Sequence, residues 1–267
     1  MVKVSLIQME SNGNKEINLQ KSLEHLKAAM KDGAVLAVFP EYQMFLPDYS
    51  NPATTAAASE STDGNFVTAM ISAAKGKVTM VLNIAEYAGT GIRPYNTSIV
   101  VNDLGIVSGK YRKLHLFDAY GHRESSCYQQ GGIRPSTFSV PDARLGLQIC
   151  YDLRFPEPAR ILRLNGASII SYQAGWFAGE RKLETWRTLL RARAIENGSF
   201  VLASAQCGKD FTGHTMAVSP YGDILGELEN QEGILTVDLD MSLPEKYSTD
   251  VPVIRQRRKD IYDISGF

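Results

Sequence analysis

Apolar segments of strand length alternate with amphipathic segments of helix length along this chain, and that alternation restricts its fold more than any other feature. "VKVSLIQM" is followed by "NLQKSLEHLKAAMKDG" and then by "AVLAVFP". In the middle segment Leu19, Leu23, Leu26 and Met30 recur at helical spacing, and Gly33 predicts the helix end. The order returns in "DGNFVTAMISAAKGK" and "VTMVLNIAEY", where Asp63 is placed to cap a helix burying Phe66, Met70 and Ala73 or Ala74. Two strand-like runs without a helix follow, "NTSIVVND" and "GIVSGKYRKLHLF", joined by a turn over Asn102 to Gly105.

Beyond residue 150 come a helix, the strand "ASIISYQA", a longer helix around "ETWRTLLRARAIENG" and the strand "SFVLASAQ". "HTMAVSPYGDILGELE" and "GILTVDL" predict a closing antiparallel meander. This mixture implies an α/β layered domain with largely buried sheets, without an internal sequence repeat or a linker. The stretch "NPATTAAASEST" (51–62) reads either as a surface loop, and so a candidate lid, or as a helix.

Composition removes several classes of function. A formal net charge of -1 gives no general electrostatic reason to expect nucleic acid or an acidic membrane as partner. The short basic run "RQRRKD" reads as a solvated or interface-facing strip. No segment reaches the length of a membrane span, and "MVKVSLIQME" does not have the form of a signal peptide, so a cytoplasmic protein is expected. Cys127, Cys150 and Cys207 are an odd, widely spaced set, which fits thiols in a reducing compartment. There is no GxSxG elbow, no phosphate loop and no dinucleotide fingerprint, so phosphate and dinucleotide cofactors are unsupported.

Three positions could carry chemistry. Glu41 follows the strand-like "AVLAVFP" and sits where open α/β sheets place ligands, though a solvated loop acid fits the same position. Period-two alternation places Val107, Tyr111, Lys113 and Phe117 on one face of their strand. A lysine on such a face either extends its ammonium to water or is buried against a carboxylate. Cys150 ends the strand "RLGLQIC", before a helix starting near Phe155 or Pro156; it is either a reactive thiol or an inert apolar filler. His115, Asp118, His122 and Glu124 cluster in sequence, but without metal-ligand spacing, so no metal is expected. His115 or His214 could also serve a cysteine as base, in a papain-like arrangement.

Taken together, "FPEY" at Glu41, "YRKLHLF" at Lys113 and "CYDLRFPE" at Cys150 resemble the nitrilase, or carbon-nitrogen hydrolase, superfamily, in the order Glu, Lys, Cys that it uses. "RES" at Glu124, "LLRARAIENGSFVLAS", "GHTMAVSPYGDIL" and "RRKDIY" extend the similarity along the chain. The resemblance implies one domain over 1–267 with a four-layer α-β-β-α sandwich. It also implies a homodimer or higher homo-oligomer, with the C-terminal tail (about 251–267) at or near the contact.

Carried over residue by residue, the family pattern makes Cys150 the nucleophile, Glu41 the general base and Lys113 a cation that stabilises the tetrahedral intermediate. The Tyr151 backbone N–H would be a second oxyanion donor, and Glu124 would orient the lysine or the substrate. Tyr151 and Asp152 stand where the nitrilase branch has Trp and Glu, so the similarity is to the amidase branch that includes omega-amidase and deaminated-glutathione amidase. It implies a cofactor-independent hydrolase of terminal amides on small carboxylic acids, releasing ammonia. N-carbamoyl or aliphatic amides, and a non-catalytic binding protein of the same fold, are the alternatives. In "YQAGWFAGERKLETW" the chain departs from those enzymes, and Trp176 and Phe177 are expected as pocket walls. Asp152 and Arg154 are expected to brace the turn as an ion pair.

Overall fold

In the computed structural model, residues 1–261 are described. The first half of the chain runs β1 (Val2–Gln8), α1 (Lys15–Lys31), β2 (Leu36–Val38), α2 (Pro52–Ala58), α3 (Asn65–Ala74), β3 (Thr79–Glu86), β4 (Tyr95–Val101) and β5 (Val107–Arg112). The second runs β6 (Thr137–Val140), β7 (Ala143–Ile149), α4 (Pro156–Leu164), β8 (Ile169–Ala174), α5 (Lys182–Asn197) and β9 (Phe200–Ala205). β10 (Met216–Val218), β11 (Ile224–Glu227), β12 (Gly233–Leu239) and α6 (Leu243–Asp250) close it.

Two six-stranded sheets result, ordered β12-β1-β2-β3-β4-β5 and β11-β10-β9-β8-β7-β6. Each has three adjacent parallel strands, two antiparallel strands continuing on one side and one antiparallel strand on the other. The plan thus repeats in topology without a repeat in sequence. The sheets lie face to face with α1 and α3 outside one and α4 and α5 outside the other, the α-β-β-α sandwich.

The residue pattern explains the layering. In β1, Val4 and Leu6 enter the core between the sheets, whereas Ile7 packs toward α1 and α3. Both faces are covered, so the strand is buried along nearly its whole length, its polar Ser5 and Gln8 included. α1 is capped by Asn14, whose side chain accepts from the Glu16 and Ile17 amides, and the chain leaves it through Gly33 at φ +78°.

Several expectations need correction. α3 is not capped by Asp63, whose carboxylate is engaged by Ser61; the Glu60 carboxylate reaches forward to the Phe66 amide at 2.8 Å instead. Of the two readings of the 51–62 stretch, the helix is the one observed: it is α2, with Pro52 in its first turn. The strand β12 does not complete a meander with β10 and β11 but crosses to pair antiparallel with β1. An irregularity between Val100 and Val101 sets two residues of β5 against one of β4, so Val107 turns to the α1/α3 side while Tyr111 faces the inter-sheet core. The short edge strand β6 is an addition to the sequence reading. Its Phe138 ring lies on Gly109, where a Cβ would come within 2.4 Å of it.

Polar ties join the two sheets at one end of the seam. Gln173 Nε2 donates to the Phe39 carbonyl at 2.6 Å, Ser204 Oγ to the Val38 carbonyl at 2.8 Å and Gln206 Nε2 to the Glu41 carbonyl at 2.7 Å. All three side chains are buried at or just past the C-terminal ends of β8 and β9. Of the tail expected at an oligomer contact, 262–267 lie outside the described residues. None of the helices among the described residues is long and apolar enough to cross a membrane.

Candidate active site

Glu41, Lys113, Glu124 and Cys150 meet where these strand ends face one another. Glu41 is carried three residues past β2, beyond Pro40, and is fully buried. Lys113 is the first residue after β5, its amide still donating to the Asn96 carbonyl at 2.9 Å. Its ammonium is 1% exposed, and it is placed 2.8 Å from Glu41 Oε1 and 2.7 Å from Glu124 Oε2. Burying an unpaired ammonium costs several kcal/mol, and two carboxylates in direct contact offset that cost. Burial alone would lower the lysine pKa, but Glu124 and Glu41 outweigh it and hold the ammonium well above its usual range.

Glu124 opens a short 3₁₀ turn, Glu124–Ser126, and also accepts from the Phe117 amide at 2.7 Å. Burial and the nearby Glu41 raise its pKa against the pull of Lys113. One ammonium between two buried carboxylates leaves negative charge in excess, which favours keeping a proton within the cluster.

Asn96 is the residue that the sequence reading missed. Its Nδ2 donates to Glu41 Oε1 at 2.7 Å and to Glu124 Oε1 at 3.0 Å, while its Oδ1 accepts from Asn83 Nδ2 at 2.9 Å. Asn83 in turn accepts from the Tyr42 amide at 2.7 Å, fixing the residue after Glu41. On the other sheet the Gly175 amide donates to Glu41 Oε2 at 2.6 Å. A Cβ at Gly175 would meet the Tyr42 ring at 2.6 Å, so this close approach requires glycine. The carboxylate is thereby oriented from both sheets.

Cys150 follows β7 at φ +45°, in the left-handed region, and begins a single 3₁₀ turn over Cys150–Arg154. Burial pushes its thiol well above the usual cysteine range; the Glu41 charge and a hydrogen bond to Glu41 push it further, and Lys113 opposes them. The resting group is a thiol beside a carboxylate, and proton transfer to Glu41 can accompany attack on an electrophile.

Asp152 braces the turn, but not through Arg154. Its Oδ2 accepts from the Tyr111 hydroxyl at 2.7 Å and the Ile149 amide at 3.0 Å, and its Oδ1 from the His115 amide at 3.1 Å. The His115 ring also lies against Asp152 Oδ1, at 2.7 Å, and stacks on Phe155 at 3.7 Å. Arg154 turns away, its guanidinium 5.0 Å from the centre of the Trp176 ring. A fully buried carboxylate takes the donors packed on it, whereas Arg154 can reach the half-open cavity edge.

The cavity over Cys150 is lined by Lys113, Tyr151, Arg154, Trp176, Phe177 and Lys182, among others. A water-sized sphere reaches only about 10 Å³ of it, roughly the room of one water. Phe177 stacks on His122 at 3.9 Å and separates this cavity from wider outer grooves. His115 and His214 do not line it, and the His214 ring lies 2.8 Å from Glu227. Among the described residues, no group of three or more His, Cys, Asp or Glu side chains is disposed to hold a metal ion.

Comparison with known proteins places the chain. The carbon-nitrogen hydrolase family model matches residues 3–248. Deaminated glutathione amidase of Bos taurus is 32% identical over 98% of this chain and 84% of its own length. The nitrilase and fragile histidine triad fusion protein NitFhit of Drosophila melanogaster is 32% identical over 99% of this chain, which spans 59% of the fusion protein's length. Among solved structures, Saccharomyces cerevisiae Nit3, described as a member of branch 10 of the nitrilase superfamily, superposes with a TM-score of 0.86 at 28% identity, covering 96% of both chains.

Proposed function

Because the chain belongs to the carbon-nitrogen hydrolase family, we propose that it is a cofactor-independent amidase that hydrolyses the terminal amide of a small carboxylate-bearing substrate through an acyl-thioester on Cys150. The observation that carries this reading is that Lys113 and Cys150 line one cavity while the buried Glu41 carboxyl group bonds to both of them.

An amide carbonyl is a weak electrophile, so the nucleophile must lose its proton as it attacks. Glu41 is the base that accepts it from the Cys150 thiol. The developing oxyanion is stabilised by the Lys113 ammonium and the Tyr151 backbone N–H, at about 3 to 4 kcal/mol for a well-placed donor. Glu41 then gives the proton to the departing nitrogen, and ammonia leaves. In the second half Glu41 takes a proton from water, which attacks the thioester; the carboxylic acid is released and the thiol restored. Glu124 and Asn96 position the ammonium and the base without touching the substrate.

The carboxylate on the substrate is supported by the Arg154 and Lys182 charges in the cavity lining and by the similarity to deaminated glutathione amidase of Bos taurus. Trp176 and Phe177 form the walls beside the amide. Dimerisation through the tail is part of the same reading.

Ammonia release from succinamate, glutaramate and neutral amides, measured for the native protein and for Cys150→Ala, tests it. Turnover of at least one amide that disappears in the alanine variant is expected. Full activity in that variant would end the nucleophile assignment.

A further inference from the structure

The geometry points to Phe177 as the residue that decides what size of molecule reaches Cys150: its ring, stacked on His122, is a side-chain gate that must swing aside before an amide can enter. The inference deepens the amidase reading and rests on it.

The room over Cys150 is about 10 Å³, that of one water, and even acetamide needs several times more. A wall therefore moves when substrate binds. Most of the walls are tied down. The Lys113 ammonium is held between Glu41 and Glu124. Trp176 packs on Trp186 with ring centres 5.3 Å apart and donates from Nε1 to the Lys182 carbonyl at 3.0 Å. Tyr42 is 3% exposed, its hydroxyl 2.9 Å from that of Tyr49. Tyr151 meets Phe117 and Phe155 edge-on, with ring centres 5.0 and 5.4 Å apart.

Phe177 differs. Among the described residues it alone lines this cavity and both outer grooves, which hold about 550 and 480 Å³. Its ring is half-buried and, being hydrocarbon, has no hydrogen bond to break. What holds it is ring contact, with His122 at 3.9 Å, Phe211 at 5.2 Å and Phe117 at 5.7 Å between centres. His122 lines both grooves as well, so parting this one stack joins three spaces.

The backbone around the ring is fixed. Phe177 pairs antiparallel with Phe211, the Ala178 amide donates to the Asp210 carbonyl at 2.9 Å, and the Thr212 amide donates to the Trp176 carbonyl at 2.9 Å. The motion left to Phe177 is a change of rotamer, not a movement of the loop. Closed, the ring bounds the acyl group; open, it admits a longer chain into the grooves. How far this ring yields sets the size of substrate accepted.

Alkylation of Cys150 by iodoacetamide and by its N-phenyl analogue, iodoacetanilide, tests the gate, with rates at each cysteine read by mass spectrometry and divided by the reagent's rate on free cysteine. The two reagents share a reactive group and differ in bulk. In the native protein the smaller one should be favoured at least about tenfold. Phe177→Ala should speed both and bring that preference to within about twofold of one, and His122→Ala, which leaves the ring but removes its stack, should lower it at least about threefold. A native preference near one overturns the gate, and so does a preference unchanged in Phe177→Ala or an unreactive Cys150 in both proteins. An equal gain in Lys182→Ala, whose side chain borders one of the grooves, overturns it as well. So does acceleration shared by the buried Cys127 and Cys207, which do not line the cavity, because that marks a loosened fold. In turnover, Phe177→Ala should raise kcat/KM for adipamate relative to succinamate at least about tenfold, and an unchanged ratio overturns size control by this ring. If no amide is turned over, the amidase reading fails, while alkylation still decides the gate.

Discussion

Replacing Asp152 by alanine should destabilise the protein and displace its nucleophile together. Two of its donors, the Tyr111 hydroxyl and the Ile149 amide, are buried, and each left without an acceptor costs about 1–3 kcal/mol. The His115 side chain is 28% exposed, so water can replace the carboxylate there. The expected loss is about 2–6 kcal/mol, a large part of the roughly 5–15 kcal/mol that stabilises a typical domain. Urea unfolding read by circular dichroism should show a lower midpoint at unchanged slope. In double-mutant cycles, coupling of Asp152 to Tyr111 should be about 1.5–3 kcal/mol, the range of a hydrogen bond to a charged group. Coupling to Arg154 should lie within about 0.5 kcal/mol of zero, since the two side chains do not meet. Ile149 adjoins Cys150, so amide turnover should also fall about 100-fold, as for a displacement near 1 Å. A loss below about 1 kcal/mol, or stronger coupling to Arg154 than to Tyr111, would refute this account of the turn.

Asn96→Ala removes the donor common to Glu41 and Glu124, and should lower kcat at least about tenfold with little change in KM; steady-state kinetics on the best amide checks the split. Glu41→Gln removes a negative charge that helps hold the Cys150 thiol high, so iodoacetamide should alkylate that cysteine at lower pH while amide turnover is lost. Although burial favours its neutral form, hydrogen bonds from Arg112, Lys110 and Thr97 bring Glu86 down to about 2. The stability difference between the native protein and Glu86→Gln should therefore be complete above about pH 4.5 and shrink as pH falls toward about 2, as acid-dependent urea midpoints would show.

The parts of this molecule that were legible in its sequence are those fixed by local periodicity. α1, α3 and α5 and most of the strands follow from apolar spacing, and Glu41 and Cys150 could be placed at strand ends by the same reasoning. What periodicity cannot see is a one-residue irregularity. The bulge in β5 put Val107 on the wrong face, although Lys113, on the far side of it, shares the inward side with Tyr111. The partner sheet of β12 depends on tertiary pairing that no local pattern carries.

Caps and ion pairs failed for a related reason. Asp63 and Glu60 are both close enough in sequence to serve α3, and only the path of the chain decides between them. Asp152 and Arg154 are neighbours in sequence, but the 3₁₀ turn and the burial of the carboxylate send them to different partners. Asn96 gave no signal, because an asparagine at the start of a strand-like run reads equally well as part of a turn. A buried amide facing two acids becomes visible only when three strands are assembled.

The cluster of polar ties at one end of the seam has a mechanical consequence. Apolar contacts between two sheets are non-directional and tolerate a small slide, whereas a hydrogen bond of 2.6–2.8 Å does not. Glu41 and Lys113 ride on one sheet, and Cys150 and Gly175 on the other. A shear of one sheet over the other would separate base from nucleophile while leaving nearly all of the core intact. Gln173, Ser204 and Gln206 thus work like dowels in a lap joint: they pin the alignment of two otherwise greasy plates at the edge where alignment decides whether a proton can cross.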